Sequence, residues 1–244
     1  MRRSRPGRPD VHLVLWDIDG TLVNTAGQGR AAFMHAFEAV LGRPPAVDDV
    51  PMAGRTDPAI GLDLLERNGV PGPENLLPRM FEEMTAALSQ RRELMAAHGH
   101  PQPGVREALI EIGNTPGVLQ SLVTGNIEPN AKIKLAAFGL DPLVELDLGG
   151  YGSDHGTRSE LVQVARRKTL AKHDVRVHPA DTVLVGDTPL DVDAAHAAGA
   201  RIVAVATGPY TARELEQAGA DTVLDDLTDL GALLTGLGLD GAQR

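Results

Sequence analysis

The stretch Leu15-Trp16-Asp17-Ile18-Asp19-Gly20-Thr21-Leu22 decides how this chain is read. It closes the apolar run "VHLVLW" (11–16) with two aspartates one residue apart, followed by Gly-Thr. A nearly continuous apolar run of that length is the pattern of a strand covered on both faces. Side chains two apart on an extended chain face the same way, so Asp17 and Asp19 point into one pocket at the strand's carboxyl end. Ligand sites of open α/β sheets lie along that edge. Paired carboxylates repel, and one is expected to hold its proton unless a cation neutralises the pair. Two roles suit them: joint metal binding, or a nucleophile beside a general acid. Gly20 lets the chain turn sharply and expose backbone amides. An Asx-type turn ending a strand is the weaker account of two acids in D-x-D-G-T-L.

Further short apolar runs lie at "VLQSLVT" (118–124), "TVLVG" (182–186) and "RIVAVAT" (201–207), with a weaker one at "DTVLDDL" (221–227). Helical patterns separate them: "GVREALIEIG", "NAKIKLAAFG", "SELVQVARRKTLAK", "PLDVDAAHAAG" and "TARELEQAG". Alternating strands and helices predict an α/β fold, an open parallel-sheet Rossmann-like core. Gly113, Gly139, Gly199 and Gly219 stand where a residue just past a helix end is expected. Residues 24–100 break this rhythm. Phe33, Met34, Phe37, Val40 and Leu41 mark one helical stripe, ended by Gly42-Arg43-Pro44-Pro45, and Leu77, Met80, Phe81, Met84 and Leu88 mark another. No strand run is evident there, so 24–100 is expected to be a small all-helical cap inserted after the first strand. The core is then 1–23 and 101–244, with "HGHPQPG" (98–104) as the return linker.

Bulk composition narrows the functions. With 42% hydrophobic residues the chain can bury a proper core, and at 3% aromatics that core is mostly aliphatic. The net charge of −10 argues against a broad nucleic-acid or anionic-membrane surface. Without cysteine there are no disulfides, Cys-ligated zinc or thiol catalysis. No apolar run approaches the ~20 residues that span a bilayer. The start "MRRSRPGRPD" is basic like a signal peptide, but the apolar stretch after it is short and runs into Asp17. A flexible tail at 1–9 and a cytoplasmic location are therefore expected.

"DIDGTL" resembles the first motif of the haloacid-dehalogenase superfamily of phosphatases and phosphotransferases. The resemblance extends along the chain. Thr124-Gly125-Asn126 ends a second strand, Asp187 and Asp191 stand in "LVGDTPLD", and the insert at 24–100 matches the cap form called type C1. "GDTPLDVDAAHAAGA" and "TARELEQAGADTVLDDL" are similar to the phosphoglycolate-phosphatase-like branch. Thr124 could also cap the next helix. Thr188, Pro189 and Asp191 also read as N-cap, N1 and N3 of a helix, which explains Asp191 without a metal but leaves Asp187 unexplained.

The resemblance implies a phosphatase acting on a small phosphorylated metabolite through an aspartyl-phosphate. Asp17 is then the nucleophile and Asp19 the acid and base. Mg²⁺ is held by Asp17, the Asp19 carbonyl and Asp187, with Asp191 as ligand or support. Thr124, Gly125 and Asn126 hold the phosphate. The usual Lys-Pro before the last motif is missing, so the phosphate-neutralising cation is Arg158, just ahead of a helix, or else Lys168, Lys132 or Lys134. In the cap, "MAGRTDPAI" (52–60) places Arg55 in a loop before a helix, where it could pair with a second anionic group on the substrate. His98, His100 and His155 are not expected in the chemistry. A sugar phosphomutase of the same fold and a non-catalytic phosphate-binding protein are the alternatives.

Overall fold

A computed structural model describes residues 11–240 of the protein, so the tail expected at 1–9 lies outside the described residues. The chain opens with β1 (His12–Trp16) and a two-residue β2 (Val23–Asn24). Four helices follow: α1 (Gln28–Leu41), α2 (Asp57–Arg67), α3 (Leu77–Gln90) and α4 (Arg92–His98). The chain returns through β3 (His100–Pro101) to α5 (Val105–Asn114), β4 (Val118–Thr124), α6 (Glu128–Ala137), β5 (Gly150–Tyr151) and α7 (Arg158–His173). It ends with β6 (Thr182–Gly186), α8 (Pro189–Ala197), β7 (Arg201–Val205), α9 (Ala212–Gln217), β8 (Thr222–Leu224) and α10 (Leu230–Leu237).

Six strands form one parallel sheet in the order β5-β4-β1-β6-β7-β8, with β1 between β4 and β6. The period-2 alternation of a strand explains why the apolar run at β1 is unbroken. Val14 and Trp16 enter one core layer with Val105, Leu109 and Leu233, and Leu13 and Leu15 enter the opposite layer with Leu161 and Val192. Both faces of β1 from Leu13 to Trp16 are therefore dry, and its acids stand at its carboxyl end. No helix among the described residues is long and apolar enough to cross a membrane.

The insert packs around a cluster in which Phe33 and Phe37 of α1 meet Leu64 of α2 and Met80, Met84 and Leu88 of α3, and which also takes in Ile127 at the start of α6. It joins the sheet domain through an antiparallel ribbon pairing Val23 with Pro101 and Asn24 with His100. This ribbon and β5 carry no apolar run and are new relative to the sequence reading. Gly139, Gly199 and Gly219 lie just past helix ends with left-handed φ of 63°, 65° and 94°. Gly113 is a correction: α5 runs on to Asn114, and a Cβ at Gly113 would sit 2.9 Å from Gln120 Nε2. What Gly113 supplies is room for the buried Gln120, which bonds Trp16, Leu109 and Leu143.

The insert is docked onto the sheet edge. The Asp57 amide donates to the Gly125 carbonyl at 2.7 Å, and the Ile127 amide donates to Asp57 Oδ2 at 2.8 Å. Burial pushes the Asp57 carboxyl up to about 6, with the Lys134 charge and the Ile127 amide opposing it. A carboxyl whose folded pKa lies above its unfolded one binds protons more tightly when folded. Its favourable contribution is complete below about pH 4 and is lost as pH rises through about 6. Asp57→Asn, which keeps an acceptor for Ile127, is therefore expected to exceed wild type in stability by up to about 3 kcal/mol above pH 7, and by little at pH 4. Denaturant melts at the two pH values check this, and equal differences at both would contradict it.

Candidate active site

Three parallel strands end side by side and bring the acids together. Asp17 follows β1, Thr124 closes β4 and Asp187 follows β6, while Asp191 comes from the first turn of α8. Asp17, Asp187 and Asp191 are buried, and each offers an oxygen within 4.8 Å of the others. Burial pushes the Asp17 carboxyl up to about 6, with Asp191 and Asp19 adding to the rise and Arg158 opposing it. Asp187 is raised well above the ordinary carboxylate range, first by burial and then by the charges of Asp17 and Asp191. Asp187 Oδ1 accepts from Thr21 at 2.7 Å, but Oδ2 is buried without a partner. A Cβ at Gly20 or at Gly208 would collide with this carboxylate, so two glycines hold open the space around it. An orphaned carboxylate oxygen in an acid-rich nest fits a hard divalent cation, which prefers oxygen ligands.

Asp191 takes the helix-start role weighed from sequence and also pairs with Arg158. Its backbone and side chain complete a capping box with Thr188, and its Oδ1 lies 2.5 Å from Arg158 Nη2. Arg158 Nη2 is also 2.9 Å from Asp17 Oδ1, and Nη1 donates to the Gly54 carbonyl at 3.2 Å. Burial opposes the guanidinium charge, but Asp17 and Asp191 more than offset it and hold Arg158 firmly protonated. Arg158 is the first residue of α7 rather than ahead of it. Its Nε is buried without a hydrogen-bond partner.

The other candidate cations separate cleanly. Lys132 pairs with Glu128 one helical turn away, and Lys168 bonds the Gly149 carbonyl and Asp154; neither lines the cavity. Lys134 Nζ bonds Asp19 Oδ2 at 2.6 Å, Asp19 Oδ1 at 2.8 Å and Asn126 Oδ1 at 2.6 Å. Asn126 Nδ2 in turn donates to Asp19 Oδ2 at 2.7 Å and to Thr124 Oγ1 at 2.9 Å. Thr124 is not the cap of the next helix, since that position is Ile127. Its buried hydroxyl accepts from Asn126 and, among the described residues, donates to no protein atom. Gly125 lies against the cap loop, where a Cβ would overlap the Arg55 carbonyl.

Cap and sheet edge enclose a cavity of about 440 Å³ lined by Asp17, Asp19, Thr124, Asn126, Lys134 and Arg158, and also by Arg55. The Arg55 guanidinium is engaged by Asp63 at 2.7 Å and by the Pro51 and Ala59 carbonyls. Of the histidines, His98 and His100 lie at the hinge, His100 exposed, and His155 accepts from the Thr157 amide in an exposed turn. Sequence reasoning missed the pairing of Lys134 with Asp19 and the roles of Thr21 and Gly208. Asn130, Ala131, Lys134 and Leu135 form the buried stripe of α6, and a lysine on a buried helical face was a readable signal.

Known proteins share this fold. A search of curated proteins found no match. Among solved structures, CbbY from Rhodobacter sphaeroides in complex with phosphate is 23% identical, with a TM-score of 0.67 over 94% of this chain and 100% of that one. A predicted phosphoglycolate phosphatase from Haemophilus somnus 129pt is 21% identical, with a TM-score of 0.63 over 93% and 99%. A provisionally named β-phosphoglucomutase from Bacteroides vulgatus is 20% identical, with a TM-score of 0.67 over 96% and 91%. At these identities the likeness is one of fold. The model of the haloacid dehalogenase-like hydrolase family matches residues 14–196, a span running from β1 through Asp187 and Asp191 into α8. With that match on the strands that carry the acids, this chain belongs to the haloacid dehalogenase-like hydrolase family.

Proposed function

We propose that the protein is a Mg²⁺-dependent phosphatase that hydrolyses a small phosphate monoester through an aspartyl-phosphate on Asp17. The observation that carries this reading is a pair of complementary orphans in one buried site. Arg158 Nε is a donor without an acceptor, and Asp187 Oδ2 an acceptor without a donor. A phosphoryl oxygen answers the first and a divalent cation the second. Asp17 and Asp187, with the Asp19 carbonyl and support from Asp191, would hold Mg²⁺. When bound, it neutralises the acid cluster and polarises the phosphoryl group.

An Asp17 oxygen attacks phosphorus in line while the ester P–O bond breaks, and Asp19 gives its proton to the leaving oxygen. Asp19 then takes a proton from water, whose oxygen attacks the same phosphorus. The Asp17–phosphorus bond breaks and inorganic phosphate leaves. Arg158, the free Thr124 hydroxyl proton and the amides near Gly125 and Asn126 bind the phosphoryl oxygens. The docked cap keeps bulk water from the intermediate. The substrate class is a soluble phosphorylated metabolite, and the setting is cytoplasmic.

The test is release of inorganic phosphate from p-nitrophenyl phosphate and a panel of phosphorylated metabolites, with Mg²⁺ and with chelator. Turnover that chelation abolishes and Mg²⁺ restores is the expected result. Binding without phosphate release would support a phosphate-binding protein instead, and isomerised phosphosugar without free phosphate would indicate a mutase.

A further inference from the structure

Resting on the phosphatase reading, we infer that Lys134 receives a second anionic group carried by the substrate's alcohol part, one or two carbons from the ester oxygen. Lys134 lines the cavity, yet its side chain is only 7% exposed, and its three hydrogen bonds go to the two Asp19 oxygens and to Asn126 Oδ1. Asp19, by contrast, is 45% exposed toward the cavity. For Asp19 to serve the ester oxygen, one of its own oxygens must release Lys134 and turn to the substrate. That frees an ammonium hydrogen in a largely buried place, where an unmet donor is costly. An anionic group on the substrate supplies the missing acceptor.

Three observations favour the substrate as its source. First, the other cavity cations are committed elsewhere: Arg158 to Asp17 and Asp191, and Arg55 to Asp63. Arg30 donates to the Asp48 and Val50 carbonyls from an exposed position. Second, Lys134 and the leaving oxygen meet the same carboxylate, so a group a bond or two beyond that oxygen falls within reach of Nζ. Third, the cap-side neighbour of the ammonium is a glycine, so no side chain from that position covers it. Gly29 in the first turn of α1 faces it, and a Cβ there would stand 3.4 Å from Nζ. α1 has no side-chain cap and no acidic residue in that turn, so nothing there competes for the ammonium, and the helix start itself favours an anion.

The test compares phosphoglycolate with ethyl phosphate, which has a methyl group where the former has a carboxylate, in wild type, Lys134→Met and Lys134→Arg. Wild type is expected to prefer the carboxylate ester in kcat/KM by about tenfold to a hundredfold, the range of one charge-assisted hydrogen bond. Lys134→Met should bring the two esters to within about threefold, chiefly through KM, whatever it does to turnover of both. Lys134→Arg should restore part of the preference. If Lys134→Met is too slow to assay, calorimetric binding of both esters in an Asp17→Asn background reads the same ratio. A wild type indifferent to the carboxylate, or a preference that survives Lys134→Met, overturns the assignment and leaves Lys134 as the residue that positions Asp19. Failure of wild type to hydrolyse any monoester overturns the phosphatase reading itself, and this inference with it.

Discussion

Asp17→Asn is expected to give a folded protein whose turnover of phosphate monoesters is lost by a factor on the order of 10⁴–10⁶, as when a covalent nucleophile is removed. The amide is nearly isosteric with the carboxyl, so the close packing at the end of β1 is kept. It is a far poorer nucleophile and cannot carry the phosphoryl group in a hydrolysable form. Folding should survive for an electrostatic reason. Burial already pushes the Asp17 carboxyl up to about 6, and its charge raises Asp187 further, so the substitution removes a like-charge repulsion. Arg158 keeps its pair with Asp191 at 2.5 Å. The melting temperature should therefore hold or rise while phosphoenzyme, detected by intact mass after brief mixing with substrate, disappears. A folded variant that still accumulates phosphoenzyme would remove Asp17 from the nucleophile's place.

The parts of this site that were legible in the sequence are those at strand ends. An apolar run that stops at Asp17, Thr124 or Asp187 states both an element and the place where it opens to the cavity. Parallel pairing of β1 with β4 and β6 then makes the three ends neighbours. The cation was not legible in the same way, because a helix carries several basic residues and only its rotation decides which one faces the acids. The sequence put Arg158 first for its place by a helix start, over Lys132, Lys134 and Lys168, and the fold sends the four to different destinations. Arg55 was hidden for another reason. Its loop folds back over the first turns of α2, so a residue eight positions later, Asp63, captures the guanidinium. The β5 strand and the β2–β3 ribbon were invisible because each is two residues long and exists through its pairing rather than its composition. Asp191 read equally well as a helix-start acid and as a site acid. In the fold the same side chain completes the capping box and pairs with Arg158 beside Asp17.

Asp19→Asn is expected to spare substrate binding while lowering turnover of alkyl phosphates by about 10²–10⁴, the usual worth of a positioned proton donor and acceptor. The binding side follows from the proposed mechanism, in which Arg158, Thr124 and backbone amides rather than Asp19 hold the phosphoryl oxygens. The leaving group decides how the loss appears. An alkoxide needs the Asp19 proton as the ester bond breaks, so formation of the phosphoenzyme slows. A nitrophenolate leaves without that help, so with p-nitrophenyl phosphate the first step should stay fast. The second step, in which Asp19 takes a proton from water, then becomes the block. The variant should accordingly show a stoichiometric burst of nitrophenol followed by slow turnover, with the phosphoryl group trapped on Asp17. Lys134 adds a structural signature. An asparagine at position 19 retains one oxygen for the ammonium but loses the ion pair, and an ammonium 7% exposed with a neutral neighbour is less stable than one facing a carboxylate. The melting temperature of Asp19→Asn should thus fall, in contrast to Asp17→Asn. A loss below tenfold with an alkyl phosphate, or the absence of a burst with the aryl ester, would reduce Asp19 to a residue that shapes the turn before Gly20.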